Sequence, residues 1–294
     1  MINDDWQWIA RDSIERTADY LQLEATEVFE FVPVEFWKQI LETTQCTFLR
    51  GEQDVKAREQ NFKIPRYDAE ATNVITNYLA EHMSEFTYYD HRHNQDDLLK
   101  KAQSENCIVI GSPRSNAATE ILLSRFFNAE PLNPSDQNRQ KIPFGFCWPD
   151  SPQIVEQSSL TCSTLARRKT KNLAGIAVKG GIHVKADLKE LEDFRAWETS
   201  DGKDCGLVFV ANKPFKTNQD VKLIVLAGFS GLGTVGAARA LIEDFRYLEP
   251  NPGEPCVYGV VECWYSKAAK SLRRTFRKYR WRVRIGGSWP INSK

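Results

Sequence analysis

Two stretches of this chain pass from an apolar run through a glycine-rich turn into a helical pattern, and no other feature constrains its fold as much. The first reads Cys107-Ile-Val-Ile-Gly111-Ser-Pro-Arg-Ser-Asn116-Ala-Ala-Thr-Glu120. The second reads Val221-Lys-Leu-Ile-Val-Leu-Ala-Gly228-Phe-Ser-Gly231-Leu-Gly233-Thr-Val-Gly236. A strand, a tight turn and a helix start gather free backbone N–H groups at the positive end of a helix, where an anion binds readily. The expected ligand is therefore phosphate-bearing. Its expected contacts are Gly111, Ser112, Arg114, Ser115 and Asn116 from the first turn, and Gly228, Ser230, Gly231, Gly233 and Thr234 from the second.

Gly231-Leu-Gly233-Thr-Val-Gly236 has the GxGxxG spacing of a dinucleotide turn and the strand-then-helix setting that the spacing requires. The acidic residue expected about 20 positions further on has Glu254 and Glu262 as its candidates. Close packing of a helix on a sheet accounts for the same glycines without any ligand. In the first turn, Ser112, Ser115 and Asn116 are all suited to capping the following helix. Capping leaves Arg114 over, and its fork suits a phosphate or carboxylate.

Apolar strands alternating with helical patterns predict an α/β fold. We expect a Rossmann-like, mostly parallel sheet flanked by helices over residues 68–294, preceded by a small α-helical region at 1–67. Helical patterns cover 68–85, 96–106, 116–127 and 234–245. Strand patterns cover 107–110, 174–178, 206–211, 222–227 and 256–262. The helical region is expected to run to about residue 48, with Phe36, Trp37, Ile40 and Leu41 in its second apolar stripe. A polar link then extends from Arg50 to Tyr67. Residues 129–171, rich in Pro, Asn, Ser and Gln, read as an irregular insertion.

Charge is balanced in total, 39 basic against 39 acidic residues, but not along the chain. The first 60 residues hold 13 acids against 6 bases, whereas residues 267–294 hold ten bases and no acid. The acidic helices, which include a helix-turn-helix-like piece at Ala18–Val28, point to a protein partner, because carboxylates on its second helix would be repelled by DNA phosphates. The basic segment offers Arg273, Arg274, Arg277, Lys278 and Arg280 to nucleic acid or an acidic partner, with Phe276, Tyr279 and Trp281 as stacking rings. A solvated basic face on a final helix and strand is the plainer reading.

No apolar run is long enough to span a bilayer and the first residues lack a signal-peptide pattern, so a cytoplasmic protein without a membrane partner is expected. Seven cysteines without CxxC spacing read as buried thiols. His91 and His93, with Asp90, Asp96 and Asp97 nearby, read as surface residues rather than a metal site. His183 has no neighbour in sequence that would make it a base, while Trp148 and Trp264 are candidates to stack a nucleobase.

The run from Asp97 to Glu120, helix, apolar strand, Ser-Pro-Arg-Ser, helix, resembles the part of nucleoside deoxyribosyltransferase-like and Toll/interleukin-1-receptor-like domains that carries their catalytic glutamate. The resemblance implies Glu120 as the carboxylate that engages or attacks a ribose, with Ser112 and Ser115 as ligand contacts. The leading expectation is a regulatory or sensor protein that binds a nucleotide-like or other anionic small ligand. The enzymatic alternative is cleavage of an N-glycosidic bond in a nucleotide or NAD. The third is an interaction protein acting through residues 267–284.

Overall fold

Short runs of apolar residues buried on every position, bounded by glycine or polar turns, give this protein its central strands. The computed structural model describes residues 36–37, 40–41, 46–51, 65–80, 87–89, 95–148, 158–161, 174–179, 194–216, 220–245, 248–251, 253–267 and 274–287. The acidic region before residue 36, Asp90, His91, His93, His183 and Arg273 lie outside them.

The strands are β1 (Cys46–Arg50), β2 (Thr87–Tyr89), β3 (Asn106–Ile110), β4 (Phe144–Cys147), β5 (Gly175–Lys179), β6 (Phe194–Glu198), β7 (Lys203–Asn212), β8 (Lys222–Gly228), β9 (Cys256–Lys267) and β10 (Arg274–Gly287). The helices are α1 (Arg66–Leu79), α2 (Gln95–Ser104), α3 (Ala117–Phe126), the one-turn α4 (Asp136–Arg139) and α5 (Gly231–Asp244). Residues 36–37 and 40–41 are helical as well.

Seven strands form one mixed sheet in the order β10-β9-β7-β8-β3-β1-β2. One half is parallel, with β1 pairing β2 and β3, and β3 pairing β8. The other is antiparallel, through the pairs β8–β7, β7–β9 and β9–β10. A separate antiparallel sheet, β4-β5-β6, holds strands that the expected insertion and the segment after it contribute.

Alternation along the central strands divides the core in two. Val109, Val225, Leu207 and Phe209 face α2, α3 and the small sheet, through Leu98, Leu122, Phe144 and Ile176. Ile108, Ile224, Val208 and Val210 face α1 and α5, through Ile75, Val235 and Leu241, together with Phe36, Trp37 and Ile40. The chain leaving β1 and the chain leaving β8 therefore turn to one face, while the chain leaving β3 turns to the other. In an open sheet the crevice at such a divergence, outside the carboxyl ends of the strands, is where ligands bind.

The large sheet is half antiparallel and not mostly parallel as expected, because β7, β9 and β10 join it through antiparallel pairs. Thr87–Tyr89 and Phe194–Glu198 are strands that no expected pattern covered, and three further segments differ from expectation. Cys46–Arg50 is a strand and not the end of a helix, because Cys46, Phe48 and Leu49 pair in parallel with β3 and are buried on both faces. Within 129–171, the apolar Phe144-Gly-Phe-Cys147 run is strand β4. From Arg274 onward the basic segment is the edge strand β10.

Candidate functional site

The first turn begins with Gly111 at φ 120°, a conformation that favours glycine, and its N–H donates to Leu226 O of β8 at 2.9 Å. Asn116 then joins three elements. Its Oδ1 accepts from Ala118 N as the N-cap of α3, and its Nδ2 donates to Leu49 O and Ile110 O, all at 2.9 Å. Ser115 N and Asn116 N both donate to Ser112 O, and Ser115 Oγ donates to the same carbonyl at 3.3 Å. Ser112 is 7% exposed and Arg114 is exposed. Capping, the plainer expectation, thus accounts for Asn116, while Arg114 projects from the turn.

The β1 turn lies directly against this loop: a Cβ on Gly51 would stand 1.9 Å from Ser115 O. Into the same corner comes Asp68, from the first turn of α1. A Cβ on Gly111 would meet Asp68 Oδ2 and Ser115 Oγ, each at 2.9 Å. Asp68 is 2% exposed, and its Oδ2 has no hydrogen-bond partner among the described residues. Burial pushes the Asp68 carboxyl up to about 6, an effect that the nearby Ser115 hydroxyl offsets in part. Nothing in the sequence marks Asp68, since an acid in the first turn of a helix is commonplace.

The second turn has a different content. Ser230 precedes α5 and its Oγ donates to Asp204 Oδ2, a carboxylate of β7, instead of capping its own helix. Gly233 N donates to the same oxygen at 2.7 Å, and Cys205 N to Oδ1 at 2.8 Å. Asp204 is 2% exposed, and burial raises its pKa against the lowering effect of the donors from Ser230, Cys205 and Gly233. The anion cradle at the start of α5 is therefore filled by a carboxylate of the chain itself.

Two glycines of this turn face backbone and a third faces a side chain. A Cβ on Gly233 would lie 1.9 Å from Cys205 O, and one on Gly228 would lie 2.2 Å from Thr234 N. On Gly231 it would meet Tyr67 Cβ at 2.5 Å. Thr234 is spent on the turn as well, its Oγ1 accepting from Gly228 N at 3.0 Å. Of the two acids considered as ribose partners for a dinucleotide, Glu262 pairs with Lys203 at 2.8 Å, and Glu254 accepts from Asn251. Close packing of helix on sheet is the account of these glycines that the contacts support. A cavity of about 280 Å³ lies beside the turn, bordered by Lys203, Asp204, Ser230, Tyr265 and Arg274.

Glu120 sits in the first turn of α3, 1% exposed. Oε1 accepts from Leu132 N at 3.0 Å, Ser159 N at 2.7 Å and Ser124 Oγ at 3.5 Å, while Oε2 accepts from Ser158 Oγ at 2.6 Å. Four donors match the roughly four acceptor sites of a carboxylate, so this group pins residues 132 and 158–159 to α3.

The basic segment places its charges and rings on different faces. Phe276, Tyr279 and Trp281 pack on the core beneath α5, with Tyr279 Oη and Trp281 Nε1 donating to Asp244 Oδ2 at 2.9 and 2.7 Å. Those rings are turned toward the core and half-buried. Arg277, Lys278 and Arg280 are exposed, and Arg274 lies over the Tyr265 ring at 5.0 Å. Trp148 is buried and bonded to Phe229 O at 3.1 Å, whereas Trp264 is half-buried with the ammonium groups of Lys203 and Lys278 near its ring.

Among the described residues no cluster of His, Cys, Asp and Glu could hold a metal ion, and no helix is long and apolar enough to cross a membrane. Six cysteines within them are free and buried. Comparison with protein-family models, curated proteins and solved structures returns no match.

Proposed function

We propose that the corner formed by the β3–α3 turn, Gly51 and Asp68 binds a nucleotide-like ligand, and that the protein is a regulatory or sensor protein that responds to its occupancy. The observation that carries this reading is the Asp68 carboxyl, buried at the carboxyl edge of the parallel strands with Oδ2 unpartnered among the described residues. Leaving a buried polar atom unpaired costs about 1–3 kcal/mol, and a ligand donor there recovers it. Ribose hydroxyls supply such donors. The Ser112 and Ser115 hydroxyls lie on the same loop, and Arg114 projects from it toward solvent with a fork suited to phosphate. Regulation is favoured over glycosidic cleavage because the Glu120 oxygens are engaged by four protein donors.

The test is mass spectrometry and calorimetry of a nucleotide panel, NAD included, with the wild-type chain, Asp68→Asn and Arg114→Ala. Intact nucleotide retained by the wild type and weakened about tenfold or more by each substitution is the expected result. Absence of binding across the panel overturns the ligand class. Release of free base overturns the regulatory reading in favour of hydrolysis.

A further inference from the structure

At the opposite end of the strands from this site, a second cavity of about 480 Å³ opens where α2 and α3 end and β7 hands over to β8. Its volume falls within the range of about 300–1,000 Å³ typical of small-molecule sites. Leu99, Phe126, Phe215 and Pro255 supply an apolar wall, in which the Phe126 and Phe215 rings meet edge-on with centroids 6.3 Å apart.

The backbone around the cavity is unusual. Of the four non-glycine residues at positive φ among the described residues, three line it: Asn128 (52°), Lys213 (49°) and Phe215 (59°). Asparagine is an ordinary residue in that conformation just past a helix end. Lysine and phenylalanine are not, and each is strained there. The conformation is held by Lys213 N donating to Val221 O at 2.8 Å and by the contact of Phe215 with the core. Its effect is to set an ammonium group and a phenyl ring, two residues apart, on the rim of one cavity.

The polar lining is cationic. Arg125 and Lys213 both border the cavity and no carboxylate is among its described lining residues. Lys213 has an acid nearby, Asp220 at 3.9 Å, but both side chains are more than half exposed, so the pairing is weak. The carboxyl ends of α2 and α3 contribute partial negative charge, which two full positive charges outweigh. Asn212, also in the lining, donates Nδ2 to Glu249 Oε1 at 2.6 Å. Because a carboxylate only accepts, that bond fixes the amide orientation and leaves Oδ1, buried in the wall, without a partner among the described residues.

From these features we infer that this cavity is a second ligand site, for an apolar carboxylic acid carrying one hydrogen-bond donor beside its carboxylate. An α-amino acid and an α-hydroxy acid with a large apolar side chain share that chemistry. The carboxylate meets Arg125 and Lys213, the side chain lies along Phe126 and Phe215, and the donor serves the Asn212 carbonyl.

Calorimetry with the full chain tests the site, using L-phenylalanine, 3-phenyllactate, 3-phenylpropionate and 2-phenylethylamine as probes. Binding of phenylalanine or phenyllactate is expected, and whichever is tighter tells the amino from the hydroxy source. Phenylpropionate, which lacks the donor, should bind several-fold more weakly, and phenylethylamine, which lacks the carboxylate, should not bind measurably. Arg125→Ala and Lys213→Ala, both at exposed positions, should each weaken the better acid about tenfold. Equal binding of phenylethylamine, unchanged affinity in both variants, or no binding by either acid overturns the assignment. None of these outcomes depends on the nucleotide site, which lies at the other end of the strands.

Discussion

Replacing Gly233 by alanine separates a packing glycine from a ligand-binding one. The new methyl carbon would stand 1.9 Å from Cys205 O, and an ordinary contact begins at 3.4 Å, so α5 and β7 must part by the difference. Both atoms belong to backbone within regular elements, and no side chain can rotate to make room. Parting them also stretches the 2.7 Å bond from Gly233 N to Asp204, whose carboxylate is buried. Overpacking costs about 1–3 kcal/mol and a lost bond to a charged group about 1.5–3, against a gain of up to about 1 from helix propensity, leaving a net loss of about 2–5 kcal/mol. Urea denaturation followed by far-UV circular dichroism reads this as a lower midpoint. An unchanged or higher midpoint for Gly233→Ala would refute the packing account and restore the turn to a ligand-binding role.

The Asp68 carboxyl makes stability depend on pH in a defined direction. Its folded-state pKa, about 6 against an ordinary 3.8, means that the folded state holds the proton more tightly. Stability should therefore fall as pH rises from about 4 to about 6 and level off above, a total on the order of 3 kcal/mol. Asp68→Asn should remove that slope and be the more stable protein at pH 7; a variant with the wild-type pH profile would contradict the assignment. Glu120→Gln places an amide nitrogen among four donors and should cost about 2–4 kcal/mol. Nucleotide binding at the Asp68 corner should survive in whatever fraction remains folded, whereas undiminished stability in that variant would show that the four bonds carry no weight.

The strands that could be read from sequence are those whose own residues are apolar throughout. Cys107–Ile110 and Lys222–Ala227 lie within β3 and β8 almost residue for residue, and Gly206–Ala211 lies within β7. Strand β1 escaped because five residues are too few to display a period, and because the helical pattern of Phe36, Trp37, Ile40 and Leu41 runs straight toward it. What makes Cys46–Arg50 a strand is its partner β3, 60 positions later by the Cys46–Asn106 pairing. The antiparallel half of the sheet is likewise a property of pairing and not of any segment.

The site was legible in outline. Strand, turn and helix were correctly ordered around Gly111 and Gly228, and the place of both turns at the carboxyl edge followed from the alternation. The two acids that matter most there were not legible. Asp68 and Asp204 stand in unremarkable sequence and acquire their importance from α1 and β7 being carried to those turns.

Asp204 also sets the terms on which the second turn could meet any anion. A phosphate approaching the start of α5 finds its donors already engaged by a carboxylate bonded to Ser230 and Gly233. That carboxylate is part of the same chain, so its local concentration does not fall on dilution, and for a rigidly placed group it exceeds the millimolar values of flexible tethers. A free anion competes against this tethered one at every concentration found in solution. The start of the helix thus holds an anion before any ligand arrives, and the GxGxxG spacing makes room for the Tyr67 side chain, the Cys205 carbonyl and the Cys263 side chain in turn.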